Sequence, residues 1–275
     1  MNSSAWLVTA MDGERLVAKA VPAGAREHFE AGLAAAATLD DRGIPAGAPV
    51  RAVDGALTVA LGGGSRSEAI AVLRYVPGRP LTRADQVDQQ RWGSTLGATH
   101  RALAGFSHPG LTRFHGVRPD AAHLSIEPWV RPAVEAAVDA LDRLRATGVL
   151  TYGVLHGDPY HGAFLLDAPT GRTGLIDWGS AGSGPLMYDV ASAVMYAGGP
   201  AAATDLLDAY LAAGPVRRDE LAATLPTMLR FRWAIQADYF AHRLRVDDRT
   251  GIGDPAENWA GLYHARDALA GVEPA

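Results

Sequence analysis

Short apolar runs alternate with polar turns near the start of the chain, and this pattern predicts a small sheet with one helix. Two runs, AWLVTA at 5–10 and RLVAKAV at 15–21, flank a polar turn and are typical of a β-hairpin. Residues 25–42 repeat apolar side chains at helical spacing, and strand-like runs follow at 56–61 and 69–76. The inward positions of the predicted helix are Phe29, Leu33, Ala36 and Leu39.

The glycine-rich stretch GGGSRS joins the last two of these strand-like runs. A phosphate-binding loop needs a helix directly after its glycines, and a strand follows here instead. We therefore interpret the stretch as a hairpin connection.

The character of the chain changes after the Pro/Gly segment 77–80, where helical periodicity takes over. Residues 84–105 and 133–147 predict helices, and 185–269 is mostly helical. A short strand precedes His156, and two more strands, AFLLD and TGLIDW, follow it. In the first of these helices we expect Val87, Trp92 or Leu96, Thr99 and Leu103 to face inward.

These elements predict an α+β protein with two lobes. Residues 1–77 form a small N-terminal lobe of sheet and one helix, and residues 78–275 form a larger, mainly helical lobe. Clefts between lobes are common ligand sites, so we expect one here. We expect the segment 77–81 to act as a hinge, with Gly78 at a positive φ angle.

Composition narrows the class of protein. The chain has 275 residues, a net charge of −5, 48% apolar residues and no cysteine, which excludes disulfides and thiolate chemistry. The acidic balance argues against a nucleic-acid partner. No apolar run is long enough to span a membrane, and the N-terminus does not resemble a signal peptide, so we expect a cytoplasmic protein without a membrane partner.

The 25 basic residues are 24 arginines and one lysine, Lys19. An arginine-rich chain that keeps one lysine indicates a position where a compact ammonium group is needed. Phosphoryl transfer requires the residue types found at Lys19, Glu30, Asp158 and Asp177. A lysine neutralises phosphates, a helix glutamate holds the lysine, one aspartate takes the proton of the acceptor and another holds Mg²⁺. An ordinary turn around Asp158 and a solvated helix face for Glu30 are the alternatives.

Three motifs carry a resemblance to a known family: HGD at 156–158, IDW at 176–178 and GPLMYDVA at 184–191. In this order and spacing they resemble the aminoglycoside phosphotransferase and choline kinase-like family. The segment LRYVPGRPL at 73–81 resembles the hinge of that family, where backbone amides meet adenine. The resemblance implies a protein-kinase-like fold and the use of ATP and Mg²⁺.

The resemblance also implies roles for single residues. Asp158 would be the catalytic base, with His156 fixing its loop. Asp177 would be the Mg²⁺ ligand, and Asp189 the buried acid that ties the loop to the helix behind it.

For the nucleotide, the resemblance implies that Lys19 binds the phosphates. Glu30 would be its helix partner, with Glu27 as second choice. Tyr75 and Val76 would meet the adenine through the hinge.

The chain departs from the family pattern at two places. Ala163 stands where the family carries a second Mg²⁺ ligand, and a methyl group cannot coordinate a hard cation. Tyr160 and His161 are the nearest substitutes, and His161 is also a candidate for meeting the acceptor. Few residues precede the first strand, so we expect a short nucleotide lid that includes Asn2, Ser3 and Ser4. We then expect either weak ATP binding or a partner chain that completes the lid.

Three functions remain open. The first is a kinase that phosphorylates a hydroxyl of a small molecule, with Asp205, Asp238, Tyr239 and His242 as candidate acceptor contacts. The second is a kinase of Ser or Thr in a precursor peptide. The third is a pseudoenzyme that serves as a binding or scaffolding module. Arginines that would face an acidic peptide, or else form a solvated helix face, are Arg230, Arg232, Arg243 and Arg245.

Overall fold

The computed structural model describes residues 3–63, 67–114 and 116–271 and shows the predicted α+β fold. Residues 64–66 of the glycine-rich connection and Asn2 of the expected lid lie outside the described residues. The helices are α1 (Arg26–Asp41), α2 (Gln86–Ala102), α3 (Val130–Ala146), α4 (Met187–Ala197), α5 (Thr204–Ala213), α6 (Arg218–Arg245) and α7 (Ala256–Gly271). The strands are β1 (Ser4–Thr9), β2 (Arg15–Pro22), β3 (Pro49–Val50), β4 (Val59–Leu61), β5 (Glu68–Arg74), β6 (Arg79–Pro80), β7 (Thr112–Arg113), β8 (Tyr152–Leu155), β9 (Phe164–Asp167), β10 (Arg172–Leu175) and β11 (Gly182–Pro185).

The N-terminal sheet has the order β1-β2-β5-β3, and β4 also pairs with β5. Strands β1 and β2 pair antiparallel, which confirms the predicted hairpin, and β2 pairs antiparallel with β5. Lys19 lies in the middle strand of these three, opposite Ala5 on one side and Ala71 on the other. Small neighbours on both sides leave room for its long side chain to cross the face of the sheet.

Helix α1 joins the N-terminal sheet to the rest of the protein. Its first turns place Phe29 and Leu33 against the sheet in a small apolar cluster. Its later turns place Ala36 and Leu39 in the large core that extends through the helical region. All four predicted inward positions are thus buried. The shared core means that α1 packs with both parts of the chain, and the division at residue 77 stays a prediction.

The segment after β5 is held in one conformation by backbone and side-chain contacts. Gly78 has φ of +135°, in the region that favours glycine, as expected. The guanidinium of Arg79 donates two hydrogen bonds to the Asp88 carboxylate, at 2.7 and 2.8 Å. Because β6 also pairs with β9, Arg79 connects the segment both to β9 and to α2.

The helical region is built around the crossing of α2 with α5. Gly93 and Gly97, one turn apart on α2, face the backbone of residues 206–214 so closely that a methyl group on either would overlap it. Trp92, Leu96, Thr99 and Leu103 are buried as predicted, but Val87 is 55% exposed, because it lies in the first turn of α2 and not on the face toward α5. No helix in the described part of the chain is long and apolar enough to cross a membrane.

Candidate active site

The loop that follows β8 is held by its own histidine. The backbone N–H of Asp158 donates to Nδ1 of His156 at 3.3 Å, and Nε2 of the same ring lies 2.9 Å from the carbonyl oxygen of Ile176. A carbonyl only accepts, so Nε2 carries the hydrogen and Nδ1 is free to accept. The ring also packs edge-on against Trp178 at 4.8 Å. One buried imidazole therefore connects the loop of Asp158 to the loop of Asp177.

Asp189, on α4, holds the same loop from behind. Its carboxylate accepts hydrogen bonds from the backbone N–H groups of His156 at 2.7 Å and Gly157 at 3.0 Å. Nε2 of His100 lies 3.2 Å from it, and Nδ1 of His100 lies 2.8 Å from the hydroxyl of Tyr210. A fully buried carboxylate needs such partners, so the network fixes the backbone on which Asp158 stands.

Asp158 itself is 47% exposed at the side chain. Its Oδ1 accepts a hydrogen bond from the hydroxyl of Tyr196 at 2.5 Å and lies 3.6 Å from the guanidinium of Arg232. Arg232 comes from α6 and is only 6% exposed at the side chain. An accessible carboxylate with one oxygen held in place is suited to accept a proton from a bound hydroxyl.

Asp177 follows β10 with φ of +68°, an uncommon value for a residue other than glycine. Nζ of Lys19 donates to its Oδ1 at 2.6 Å. Burial raises the pKa of Asp177, but the Lys19 ammonium, together with His156 and the backbone N–H of Gly179, lowers it by more, so the net pKa is below that of an ordinary aspartate. The structure thus brings together a lysine and an aspartate that are 158 positions apart.

A cavity of about 460 Å³ opens over this pair. Lys19 and Asp177 form its polar end, and Tyr75, Val76 and Gly78 of the predicted hinge form part of its wall. The remaining lining is mostly apolar and includes Val17, Phe29, Leu33, Ala36, Leu73, Leu165 and Ile176. An apolar pocket with a charged end suits a flat ring and an anionic tail.

The structure does not form the expected Lys19–Glu30 pair. The carboxylate of Glu30 accepts hydrogen bonds from Arg26 at 2.9 Å and from Thr58 at 2.5 Å. Burial raises the pKa of Glu30, but the hydrogen bonds from Thr58 and Arg26 and the charge of Arg26 oppose it. The net pKa is below that of an ordinary glutamate. Glu27, the second choice, is exposed. Lys19 contacts Asp177 instead because the loop of Asp177 approaches the sheet closely.

That approach depends on Gly32 of α1. A methyl group at Gly32 would overlap the carbonyl of Trp178, so α1 and the segment after Asp177 are in backbone contact. His28, on the same helix, lies between two carbonyl oxygens, with Nδ1 at 3.1 Å from Gly110 and Nε2 at 3.0 Å from Gly179. The His28 ring therefore bridges the segment of Gly110 and the segment after Asp177.

The donor set fits a nucleotide-bound Mg²⁺ held by one carboxylate. Mg²⁺ is usually held by one or two carboxylates together with substrate phosphates and water, and Asp177 supplies one. Ala163 is buried and offers no oxygen. Burial is the main cause that raises the pKa of the Tyr160 phenol. The nearby carboxylates of Asp177 and Asp158 raise it further. The ring of His161 lies against Trp92, with centroids 5.8 Å apart.

A second cavity, of about 360 Å³, borders the loop of Asp158. Gly157 and Ser180 border it, and Asp238 supplies a carboxylate at its wall. Nε2 of His123 lies 2.7 Å from Oδ1 of Asp238, and the ring of His242 packs edge-on against His123 at 5.3 Å. Of the four acceptor candidates on the helices, Asp238 is the one that lines this cavity.

The other acceptor candidates have different surroundings. The carboxylate of Asp205 accepts hydrogen bonds from Gln86 at 3.0 Å and Gln90 at 3.1 Å, which joins α5 to α2. The hydroxyl of Tyr239 accepts from Arg243 at 2.8 Å. These contacts account for both residues without a substrate, so they give the acceptor role no support.

The arginines of α6 are not the exposed row that the sequence suggested. Arg232 is buried beside Asp158, and Arg243 is buried with hydrogen bonds to Asn258 at 2.9 Å and to Thr250 at 2.6 Å. For these two, both the peptide-facing interpretation and the solvated-face interpretation are wrong. In a long helix packed on three sides, arginine at a buried position needs specific partners, and the sequence does not reveal them.

Sequence reasoning therefore missed three residues of this site: His28, Tyr196 and Arg232. One signal was present in the chain. Asp189, Ser192 and Tyr196 follow one another at intervals of three and four in the otherwise apolar helix α4. That spacing places them on one face, which marks a polar contact with the loop.

Comparison with known proteins agrees with this geometry. Residues 2–221 match the model of the phosphotransferase enzyme family. An uncharacterised protein of Deinococcus radiodurans is 31% identical over 211 residues, which cover 70% of this chain and 60% of that protein. The match thus spans less than two thirds of the relative's own length.

Several solved structures share the fold. The amicoumacin kinase hAmiN, solved with AMP-PNP, Ca²⁺ and amicoumacin, superposes with a TM-score of 0.76 at 17% identity and covers 99% of this chain and 86% of that one. A microcompartment-associated aminopropanol kinase gives 0.74 at 18% identity, covering 98% and 91%. Choline kinase LicA from Streptococcus pneumoniae gives 0.66 at 16% identity, covering 97% and 89%. The predicted kinase-like fold and family resemblance are confirmed, and the chain belongs to the phosphotransferase enzyme family.

Proposed function

We propose that this protein is an ATP-dependent kinase that transfers the γ-phosphate to a hydroxyl group of a small molecule. One observation carries the proposal. Lys19 and Asp177 pair at 2.6 Å in the lining of a cavity of about 460 Å³ that Tyr75 and Val76 also line. A lysine and an aspartate at one end of an apolar pocket are the charges that a metal-bound triphosphate requires.

The cavity supports specific roles for its residues in nucleotide binding. The apolar walls take the base beside Tyr75 and Val76, and the Lys19 ammonium neutralises phosphate oxygens. Asp177 holds Mg²⁺, which when bound supplies positive charge to the phosphates.

Asp158 is the proposed base. The acceptor oxygen attacks the γ-phosphorus while its proton passes to the Asp158 carboxylate, and the bond from phosphorus to the bridging oxygen breaks to release ADP. His156 and Asp189 act through the backbone of the loop, which they hold at three N–H groups. These hydrogen bonds fix the backbone from which the Asp158 side chain extends.

The second cavity supports a small-molecule acceptor. It adjoins Gly157, directly before Asp158, and combines aromatic and apolar walls from Phe114, Tyr188 and Ile235 with the carboxylate of Asp238. The solved structures of similar fold include kinases whose titles name amicoumacin and aminopropanol. The burial of Arg232 and Arg243 means that two of the four arginines considered for a peptide acceptor do not face one.

A pseudoenzyme is the second candidate, and Ala163 is the observation that favours it. With a buried methyl group at this position, Asp177 is left as the carboxylate for the metal. The two candidates differ in whether function depends on the Asp158 carboxylate, since a scaffold does not need Asp158.

The experiment measures nucleotide binding and turnover separately. Calorimetry with Mg·AMP-PNP reports the nucleotide site, and ADP formation from Mg·ATP with choline, aminopropanol or spectinomycin reports transfer. We expect Asp177→Asn to weaken Mg·AMP-PNP binding, and Asp158→Asn to keep binding but lower kcat by about 10²- to 10⁴-fold. Asp142→Asn, which removes an exposed carboxylate paired with Arg145, is the matched control and should behave as wild type.

Binding without transfer, equal in wild type and Asp158→Asn, would favour the pseudoenzyme. Absence of Mg·AMP-PNP binding by the wild-type chain would contradict both the nucleotide site and the kinase. The lobe boundary at residue 77, a partner chain over the nucleotide and the cytoplasmic location stay predictions.

A further inference from the structure

One face of helix α4 carries three polar side chains that all serve the loop of Asp158. Asp189 accepts hydrogen bonds from the loop backbone, as described above. Ser192, three residues on, accepts a hydrogen bond from Nε of Arg232 at 2.9 Å. Tyr196, four residues further, donates its hydroxyl hydrogen to Asp158 at 2.5 Å. The rest of the helix is apolar and buried, so this polar face is a built feature and not a solvated surface.

Arg232 closes the arrangement from the neighbouring helix α6. Its guanidinium donates to the Ser192 hydroxyl and, at 3.1 Å, to the Tyr196 hydroxyl, and lies 3.6 Å from Oδ1 of Asp158. The same guanidinium lies 5.8 Å from the ring centroid of Tyr188. A buried arginine is costly without such partners, and two of them, Tyr196 and Asp158, are themselves joined by the hydrogen bond to Oδ1.

The two carboxylate oxygens of Asp158 differ in the contacts that they make. Within the described residues, the hydrogen bond and the ion pair to the Asp158 side chain both fall on Oδ1. The side chain is 47% exposed, and within the same residues no hydrogen bond or ion pair falls on Oδ2. Terminal torsions of aspartate are broad, and an unrestrained carboxylate would present either oxygen at a range of angles.

We propose that Tyr196 and Arg232 are positioning residues that hold Oδ1 of Asp158 so that Oδ2 receives the proton of the acceptor hydroxyl. This inference rests on the proposed function. Ser192 acts one step further back, because it fixes the Arg232 guanidinium by accepting from Nε. The physical gain is orientation, since the base is held in one rotamer before the acceptor arrives.

The test compares variants at the two positions with a matched buried arginine. Tyr196→Phe keeps the ring and removes the donor, and Arg232→Met keeps the length and removes the charge. Arg243→Met is the control, because Arg243 is an equally buried arginine of the same helix whose partners are Tyr239, Thr250 and Asn258. Each variant is assayed for thermal midpoint, Mg·AMP-PNP affinity and the kcat and KM of ADP formation from Mg·ATP, with Asp158→Asn as the baseline.

We expect Tyr196→Phe and Arg232→Met to lower kcat by about tenfold to a hundredfold, as loss of a charge-assisted hydrogen bond to a reacting group does. Mg·AMP-PNP affinity and KM for ATP should stay within about twofold of wild type, because neither residue lines the nucleotide cavity. Arg232→Lys should recover part of the loss, since it restores the charge without the forked donors. Arg243→Met should lower the midpoint and leave kcat near wild type.

Two results would overturn the inference while leaving the kinase intact. One is a kcat of Tyr196→Phe equal to wild type. The other is that Arg232→Met and Arg243→Met, at similar thermal midpoints, lower kcat by the same factor. Wild-type protein that binds Mg·AMP-PNP but forms ADP no faster than Asp158→Asn would overturn the base and its positioning together. Failure of wild type to bind Mg·AMP-PNP would instead overturn the proposed function.

Discussion

The close approach of helix α1 to the segment after Asp177 depends on a glycine, and filling that position tests whether the approach matters. Gly32 lies on the buried face of α1. A methyl group added there would sit 2.3 Å from the carbonyl oxygen of Trp178 and 3.3 Å from its Cβ. Optimal contact between non-bonded carbon atoms begins near 3.5 Å, so Gly32→Ala must separate the two segments by roughly 1 Å.

The cost can be worked from that overlap. Added methyl groups in a packed core cost about 1–3 kcal/mol, and a backbone carbonyl that cannot rotate away places this case in the upper half of the range. Alanine returns about 1 kcal/mol of helix propensity, which leaves a net loss of about 1–2 kcal/mol. At about 2–4 °C per kcal/mol for a chain of this size, the thermal midpoint should fall by about 2–8 °C.

The same displacement should affect catalysis more than stability. A shift of about 1 Å can cost about 100-fold in rate, and this one moves the loop of Asp177 relative to the strand of Lys19. We therefore expect kcat/KM for ATP to fall by about tenfold to a hundredfold, with weaker Mg·AMP-PNP binding. The measurements are a thermal melt, calorimetry and the steady-state assay.

The control for this prediction is Gly24→Ala, directly before α1. A methyl group at Gly24 meets no atom within 4 Å, so the variant should stay within about 0.5 kcal/mol of wild type in stability. If Gly32→Ala melts and binds Mg·AMP-PNP as Gly24→Ala does, then the backbone contact between α1 and Trp178 does not position the site, and the reasoning is refuted.

Three further changes test the site and the hinge. Lys19→Met should raise the pKa of Asp177, because burial then acts without the opposing ammonium; a carboxyl NMR titration measures it, and an unchanged pKa would contradict the pairing. Gly78→Val should lower both turnover and thermal midpoint, since φ is +135° and Cβ would lie 2.6 Å from a backbone carbonyl of β9; wild-type kinetics would contradict the role of this glycine. Arg79 holds the pKa of Asp88 below its usual range, so this pair stabilises the fold above the unfolded pKa of aspartate and the effect is lost as pH falls through the folded pKa. Arg79→Met should therefore move acid unfolding, followed by circular dichroism, to higher pH, and an unshifted transition would contradict it.

Much of the local structure follows from periodicity in the chain. Alternation predicts the β1–β2 hairpin, and the spacing of Phe29, Leu33, Ala36 and Leu39 predicts the buried face of α1. Periodicity fails for Val87 because its side chain lies off the face of α2 that packs on α5, although Asp88 and Gln89 of the same turn are buried. Short-range rules assign a residue to a helix, but the neighbouring element decides which face is covered.

The sequence by itself determined which groups are candidates for the site: one lysine in an arginine-rich chain, two aspartates in HGD and IDW, and a third in the helix behind them. Residue type and motif spacing suffice for that, because phosphoryl transfer needs few groups. Tertiary structure alone decided the partners of those groups. Lys19 meets Asp177 and not Glu30, and Arg232 meets Asp158 and not solvent. The physical reason is that pairing depends on how closely backbones approach and how helices pack, and long-range contacts leave no local pattern in a single chain.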